Sequence, residues 1–282
     1  MVHKLNKTKV ILIFLVLLVS TSLTYAVLQE FRNNFSIVKI SVNKTKGSDT
    51  SYKISNEILN FLKSKNISTD LDKDTLEEIY WAERVKEGGL ILLFRHSERE
   101  KWNNSVEGFD AYELFNKYNA RNFSWDKATC LTPKGIEESK LINEAFSHAN
   151  IEISEVVSSP SCRAVETALF AFNKIDKIFS GLLHYTAFHP LDRNKIGEKL
   201  KEAVLDLEIK KGKNIILSAH NKVISHYSFI DEMNVGEGLE ESGFYIIEKK
   251  DDTLTVPFKF SSIKNFIILL YRHEFEKSSY IK

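Results

Sequence analysis

The chain has 282 residues, with 39 Lys and Arg against 38 Asp and Glu, so its formal net charge is +1. This balance excludes both a broad basic surface for nucleic acid and an acidic tail, and we expect no nucleic-acid partner. Hydrophobic residues make up 43% and charged residues 27% of the chain, which excludes a disordered protein and predicts a folded globular one.

The N-terminal segment, residues 1–28, has the composition of a targeting element. Its lysines are followed by an uncharged stretch of 19 residues, Val10 to Leu28. As a helix this stretch would span about 28 Å, close to the hydrocarbon thickness of a bilayer, with the lysines on the cytoplasmic side. The pattern predicts a membrane anchor that leaves the rest of the chain extracytoplasmic, in the periplasm or at the cell surface. The alternative is a signal peptide, cleaved near Thr24-Tyr25-Ala26, and a secreted protein.

Residues 29–89 form a polar linker and helical extension. The segment is rich in Lys, Asn and Ser, and helical spacing occurs at Ile54–Lys63 and at Thr75–Lys86. It ends at Gly88-Gly89, after which the pattern changes. This composition is typical of a stalk or of an extension that packs against a larger domain.

From residue 90 onward, short apolar runs alternate with amphipathic segments. The runs predict strands at 90–94, 155–158, 177–183, 214–218, 244–248 and 253–260, and the segments predict helices at 133–148, 161–172, 193–209 and 222–230. This order predicts an α/β fold over residues 90–272, a three-layer α/β/α domain with a mostly parallel central sheet, and a polar tail at 273–282. Because ligands of such sheets bind at the carboxyl ends of the strands, we expect the chemistry there.

Arginine and histidine residues stand shortly after the first, second and fourth apolar runs: Arg95, His96 and Arg99 after the first, Arg163 after the second, and His220 after the fourth. Arginine forks match phosphate oxygens, and a neutral imidazole can attack phosphorus to form a covalent intermediate. Each residue alone is more typical of a surface or structural role. Their occurrence at three strand ends predicts a pocket for an oxyanion.

These segments resemble, in order and spacing, the motifs of the histidine phosphatase superfamily, which includes phosphoglycerate mutases and histidine acid phosphatases. LLFRHSER resembles the strand-RHG motif, LTPKG the LTxxG turn, SSPSCRAVETA the SSPxxRAxQTA motif, and LSAHN the late strand-xxH element. The resemblance covers residues 90–245. It implies the α/β/α fold and phosphoryl transfer without a metal or other cofactor.

The resemblance also implies a role for each matching residue. His96 would be the nucleophile that becomes phosphohistidine, Arg95 and Arg163 would clamp the phosphoryl oxygens, and His220 would stabilise the same group. Arg99 matches the additional arginine of the RHGxR form of the motif. These roles agree with the chemistry of phosphoryl transfer, which needs positioning and charge neutralisation around the oxygens.

The general acid is not provided by the motifs. Asn221 stands where the acid phosphatase branch has Asp, and residues 181–192, where the mutase-like branch has Glu, contain only the distant Asp192. An amide cannot donate a catalytic proton as a carboxylic acid can. Three carboxylates are candidates, each also typical of a solvated surface charge: Glu98 in the motif loop, and Asp110 and Glu113 in the long aromatic-rich loop at 101–129.

Two further features concern single side chains. Ser97 replaces the glycine that usually follows the nucleophile, which adds a Cβ and a hydroxyl able to donate to phosphate. Cys130 and Cys162 are too few for a disulfide scaffold, and either one bridge or two buried thiols fits them.

We interpret the chain as an extracytoplasmic, metal-independent phosphomonoesterase that acts on a small-molecule, glycan or lipid phosphate ester. The membrane is the other expected partner, through the N-terminal helix, and the oligomeric state is left open. The alternative is a catalytically silent phosphate- or glycan-binding module on the same fold, because the general acid is unassigned. The aromatic loop fits either substrate selection or a hydrophobic cluster packed on the domain.

Overall fold

The computed structural model describes residues 54–100, 129–184 and 190–279, and the side chains of the last range up to Arg272. The predicted membrane anchor and the candidate acids Asp110 and Glu113 lie outside these residues. Within them, no helix has both the length and the apolar character that crossing a bilayer requires. The membrane anchor therefore stays a prediction.

A seven-stranded mixed sheet lies at the centre of the described residues. Its strands are β1 (Ile91–Arg95), β2 (Ile153–Ser158), β3 (Lys177–Ile178), β4 (Asn214–Ala219), β5 (Glu232–Met233), β6 (Phe244–Lys250) and β7 (Thr253–Phe260). Their order is β3-β2-β4-β1-β6-β7-β5, and β6 alone runs antiparallel to its neighbours. The α/β class and the mostly parallel sheet are confirmed for these residues.

Helices cover both faces of the sheet. They are α1 (Asn56–Ser64), α2 (Lys73–Glu87), α3 (Pro133–His148), α4 (Cys162–Phe172), α5 (Arg193–Leu205), α6 (Val223–Tyr227) and α7 (Ile263–Ser279). Because successive strand residues point to opposite faces, Leu92 and Phe94 of β1 pack in the core with α2, α3, α4 and α7. Ile91 and Leu93 pack with α5 and α6 on the other face. The structure therefore has the three layers predicted from the sequence.

The helical extension packs against the sheet domain. Leu76, Trp81 and Val85 of α2 are buried in the same cluster as Leu92. A left-handed residue, Gly88 with φ +75°, turns the chain from α2 into β1, and a Cβ there would lie 2.4 Å from the carbonyl carbon of Gly212. Only glycine fits both the backbone angle and this close approach.

The third predicted strand is shorter than expected. Instead of a strand over 177–183, β3 ends at Ile178 and a 3₁₀ turn follows at Ser180–Leu182. The partner strand β2 ends at Ser158, so the ladder stops with the bond from Phe179 N to Ser158 O, 2.9 Å long. The predicted helix at 222–230 is also shorter, because Ser228 adopts a φ of +49° and ends α6.

Cys130 and Cys162 form a disulfide, with their Cα atoms 5.0 Å apart. This bond decides between the two alternatives that the sequence left open. Cys162 is the first residue of α4, so the bridge joins the start of this helix to the segment that precedes α3.

Reduction of this disulfide is expected to lower the free energy of unfolding. The bridge closes a loop with a sequence separation of 32 residues, for which the chain-entropy model gives about 3–4 kcal/mol. Denaturant midpoints measured with and without reductant test this, with the Cys130→Ser/Cys162→Ser double variant as the control that reductant leaves unchanged. Equal midpoints for the wild type, once mass spectrometry shows two free thiols, would contradict the prediction.

Candidate active site

The carboxyl ends of β1, β2 and β4 bring the predicted residues together. In the sheet Arg95 pairs with Ala219, and Ser158 pairs with Ser218, so these strands end side by side. His96 and His220, each directly after a strand, therefore lie with their ring centroids 5.5 Å apart. Arg163, in the first turn of α4, reaches His220 with its Nη2 3.1 Å from Nδ1.

His96 is held as a neutral imidazole with a defined tautomer. It is 4% exposed, and its Nδ1 lies 2.9 Å from the carbonyl oxygen of Ser97. Because a carbonyl can only accept, Nδ1 carries the hydrogen and Nε2 keeps its lone pair. Burial, followed by the charge of Arg163, holds the pKa of His96 well below its usual value of 6.5. A buried, unprotonated Nε2 is the form that a nucleophilic imidazole needs.

His220 is held in the opposite tautomer. A guanidinium only donates, so Nδ1 of His220 accepts from Arg163 and Nε2 carries the hydrogen. Nε2 lies 3.0 Å from the hydroxyl of Ser159 and 3.1 Å from that of Ser161. Burial and then Arg163 hold the pKa of His220 well below 6.5. The two serines belong to the SSPSCR segment, but their contact with His220 depends on β2 and β4 being neighbours.

The N-terminus of α4 faces the same histidine. Ser161 is the N-cap residue of this helix, yet its side chain makes no capping hydrogen bond and instead contacts His220. The first-turn N–H groups and the positive end of the helix dipole therefore lie beside Arg163. This combination favours a bound anion.

Arg95 and Arg99 add positive charge to the pocket. Nη1 of Arg95 donates to the carbonyl of Leu239 at 2.6 Å, and Nη2 lies 3.5 Å from Glu241 Oε1. The charges of both arginines contribute to the low pKa of His96, and Arg99 also lowers the pKa of His220. Arg95 thus acts on His96, and Arg99 acts on both rings. Their role in phosphate binding stays a prediction.

Glu98, in the loop after β1, contacts the start of α3. Its carboxylate accepts from the hydroxyl of Thr132 at 3.0 Å and forms an ion pair with Lys134. The helix and this loop lie so close together that a Cβ on Gly135 would be 1.9 Å from the carbonyl oxygen of Glu98. These contacts hold the motif loop against α3, and the general-acid role of Glu98 stays a prediction.

The two departures from the superfamily motifs have structural roles. The hydroxyl of Ser97, which the sequence offers as a phosphate donor, is fully buried and lies 2.8 Å from each of the hydroxyls of Ser139 and Ser242. Ser97 also avoids the left-handed region, so its Cβ causes no backbone strain. Oδ1 of Asn221 accepts from the backbone N–H of Leu239 at 3.2 Å, which ties the end of β4 to the loop that holds Arg95.

One residue of this site was missed by the sequence analysis. His184 follows the 3₁₀ turn after β3, and its ring centroid lies 5.8 Å from that of His220. Its charge contributes to the low pKa of His220. In the sequence His184 directly follows the predicted strand at 177–183, and this position is the signal that could have found it.

No protein-family model and no curated protein matches the chain. Solved structures do match it. The protein histidine phosphatase SixA, complexed with tungstate, is 12% identical, with 61% of this chain and 96% of that chain covered and a TM-score of 0.42. Phosphoserine phosphatase from Entamoeba histolytica is 14% identical, with 62% and 98% covered and a TM-score of 0.40. Phosphoglycerate mutase from Bacillus anthracis is 14% identical, with 64% and 97% covered and a TM-score of 0.38.

These solved structures are members of the histidine phosphatase superfamily, which the sequence motifs also resemble. At such identities and TM-scores, the matches do not assign an activity or a substrate to this chain.

Proposed function

We propose that the chain is a phosphomonoesterase that hydrolyses its substrate through a phosphohistidine on His96. The observation that carries the proposal is the state of His96: it is buried and unprotonated, and its Nδ1–H donates to Ser97 O, which leaves the Nε2 lone pair for attack. The positive charges of Arg163, Arg95 and Arg99 all lower the pKa of this imidazole.

The first step is attack by Nε2 of His96 on phosphorus. The N–P bond forms while the bond from phosphorus to the ester oxygen breaks, and the guanidinium groups neutralise charge on the phosphoryl oxygens. The resulting phosphoimidazole is cationic, and the Nδ1–H bond to Ser97 O stabilises it. Water then attacks phosphorus, the N–P bond breaks, and inorganic phosphate leaves.

His220 has a different role because its Nδ1 already accepts from Arg163. It orients that guanidinium, and its Nε2–H is directed toward the hydroxyls of Ser159 and Ser161. We infer that these groups together bind the phosphoryl oxygens and strengthen their contacts as charge develops in the transition state.

An extracytoplasmic location is part of the proposal. The Cys130–Cys162 disulfide supports it, since such bonds persist mainly in oxidising compartments. The Lys-led apolar segment at residues 1–28 supports it as well. A phosphate ester of a small molecule, a glycan or a lipid fits this location.

A silent phosphate-binding module is the second candidate. It is favoured by Asn221, which stands where the acid phosphatase branch has a carboxylic acid. The side-chain oxygen of Asn221 accepts a hydrogen bond from the backbone N–H of Leu239.

The two candidates are separated by turnover of 4-nitrophenyl phosphate by the full chain, in detergent and with a chelator present, between about pH 4 and 9. Turnover that the chelator does not reduce is the expected result. Inorganic phosphate binding without turnover at any pH would establish the silent module, and turnover that depends on added metal would overturn the metal-independent mechanism.

A further inference from the structure

Three imidazoles follow one another along the carboxyl edge of the sheet. The ring centroid of His220 lies 5.5 Å from that of His96 and 5.8 Å from that of His184. We propose that His184 is the general acid that protonates the leaving oxygen of the substrate. This inference rests on the proposed phosphohistidine mechanism.

The reaction needs such a donor when the leaving group is an alcohol. As the bond from phosphorus to the ester oxygen breaks, that oxygen takes the proton of the His184 imidazolium and leaves as a neutral alcohol. In the second step, neutral His184 takes a proton from the attacking water, which restores both the imidazolium and the free Nε2 of His96. Protons and electron pairs therefore balance over one turnover, and the other reactant is water.

The described carboxylates do not fit this role as well. The permanent charges that lower the pKa values of the two histidine rings are arginines: Arg163, Arg95 and Arg99 for His96, and Arg163 and Arg99 for His220. His184, by contrast, is in ring contact with His220, with the two centroids 5.8 Å apart.

Two of these carboxylates have other partners close to the pocket. Glu98 is bound to Thr132 and Lys134, and Glu241 is paired with Arg95. Burial raises the pKa of Glu241, although Arg95 opposes the shift, so Glu241 is the carboxyl that a test has to include.

His184 differs from His220 in its access to solvent. His220 is 1% exposed, and both of its ring nitrogens have partners in the pocket. His184 is only partly buried, so it can exchange its proton with water between turnovers. Histidine is the side chain that most often serves as a general acid and base in catalysis.

The test compares two phosphomonoesters whose leaving groups differ in how much they need protonation. For His184→Asn in the full chain, we expect kcat/KM for an alkyl phosphate to fall about 10²- to 10⁴-fold. We expect little change with 2,4-dinitrophenyl phosphate, whose leaving group departs without protonation. The ratio kcat/KM is used because it reports the phosphoryl-transfer step and not the later hydrolysis. Activity on the dinitrophenyl ester also shows that the variant is folded.

His148→Asn is the matched control, because His148 lies at the end of α3 and stacks on Tyr271. It should leave both substrates unaffected. Equal losses on both substrates in His184→Asn would overturn the proposal in favour of phosphate binding by His184. A loss confined to the alkyl phosphate in Glu241→Gln, and absent in His184→Asn, would assign the acid to Glu241. An inactive wild type would instead refute the proposed function.

Discussion

Replacement of His96 by alanine or asparagine is expected to abolish turnover, with kcat reduced at least about 10³-fold. His96 is buried, unprotonated and has its Nε2 lone pair available, whereas Nδ1 of His220 already accepts from Arg163. His220 therefore cannot replace His96 as nucleophile without a change of tautomer and partner. Phosphate binding should persist in both variants, because the arginines remain.

The measurement combines steady-state kinetics with a rapid acid-free quench of protein mixed with a ³²P-labelled phosphomonoester. The wild type should carry label on a base-stable, acid-labile phosphohistidine, and the His96 variants should carry none. His148→Asn, remote from the pocket, is the control for the substitution of a histidine. Label that persists in His96→Ala, or turnover comparable to the wild type, would place the nucleophile elsewhere.

The second large effect is expected at Arg163. Its side chain is 2% exposed and lies at the start of α4 against His220. Removal of this guanidinium in Arg163→Met should lower kcat/KM about 10²- to 10³-fold, because a preorganised donor to the phosphoryl oxygens is lost. Arg163→Lys should lower kcat/KM nearly as much, since an ammonium cannot make the bidentate contact with phosphoryl oxygens that a guanidinium can.

The two Arg163 variants should differ in their pH dependence. After burial, Arg163 makes the largest contribution to the low pKa of His96, so its loss in Arg163→Met raises that pKa. Attack requires neutral His96, and activity falls as the pH drops through the pKa of this residue. The acid limb of kcat/KM should therefore move to higher pH in Arg163→Met and stay near the wild-type position in Arg163→Lys, which keeps the charge.

Profiles of both variants on 4-nitrophenyl phosphate decide this prediction. Thermal unfolding of each variant checks that the substitution at a buried site leaves the fold intact. An acid limb at the same pH in Arg163→Met and in the wild type would show that Arg163 does not control the ionisation of His96.

Local patterns predicted much of the structure. The helix predicted at 133–148 has these bounds in the structure, because Thr132 accepts from Gly135 N and Pro133 suits a first helical turn. The predicted strand over 177–183 was too long, since its length depends on where β2 ends and not on its own apolar residues.

The candidate site was predicted in part for the same reason. Arg95, His96 and His220 stand at the ends of apolar runs, and Arg163 lies in the helix that begins shortly after one. Their common location follows once those runs form neighbouring strands. His184 directly follows the predicted strand at 177–183, but its place in the site comes from a ring contact with His220, 36 positions later in the chain. Glu98 appeared available in the sequence and is bound to α3 in the structure.

The sequence by itself determined the α/β class and the placement of arginines and histidines at the carboxyl ends of strands. Hydrophobic periodicity and strand-end position are properties of short segments, and they need no knowledge of distant residues. The tertiary structure decided which nitrogen of each histidine carries the hydrogen, that Cys130 and Cys162 are joined, and that His184 lies beside His220. These features depend on donors, acceptors and charges brought together from separate strands, because hydrogen bonding and desolvation act through space and not along the chain.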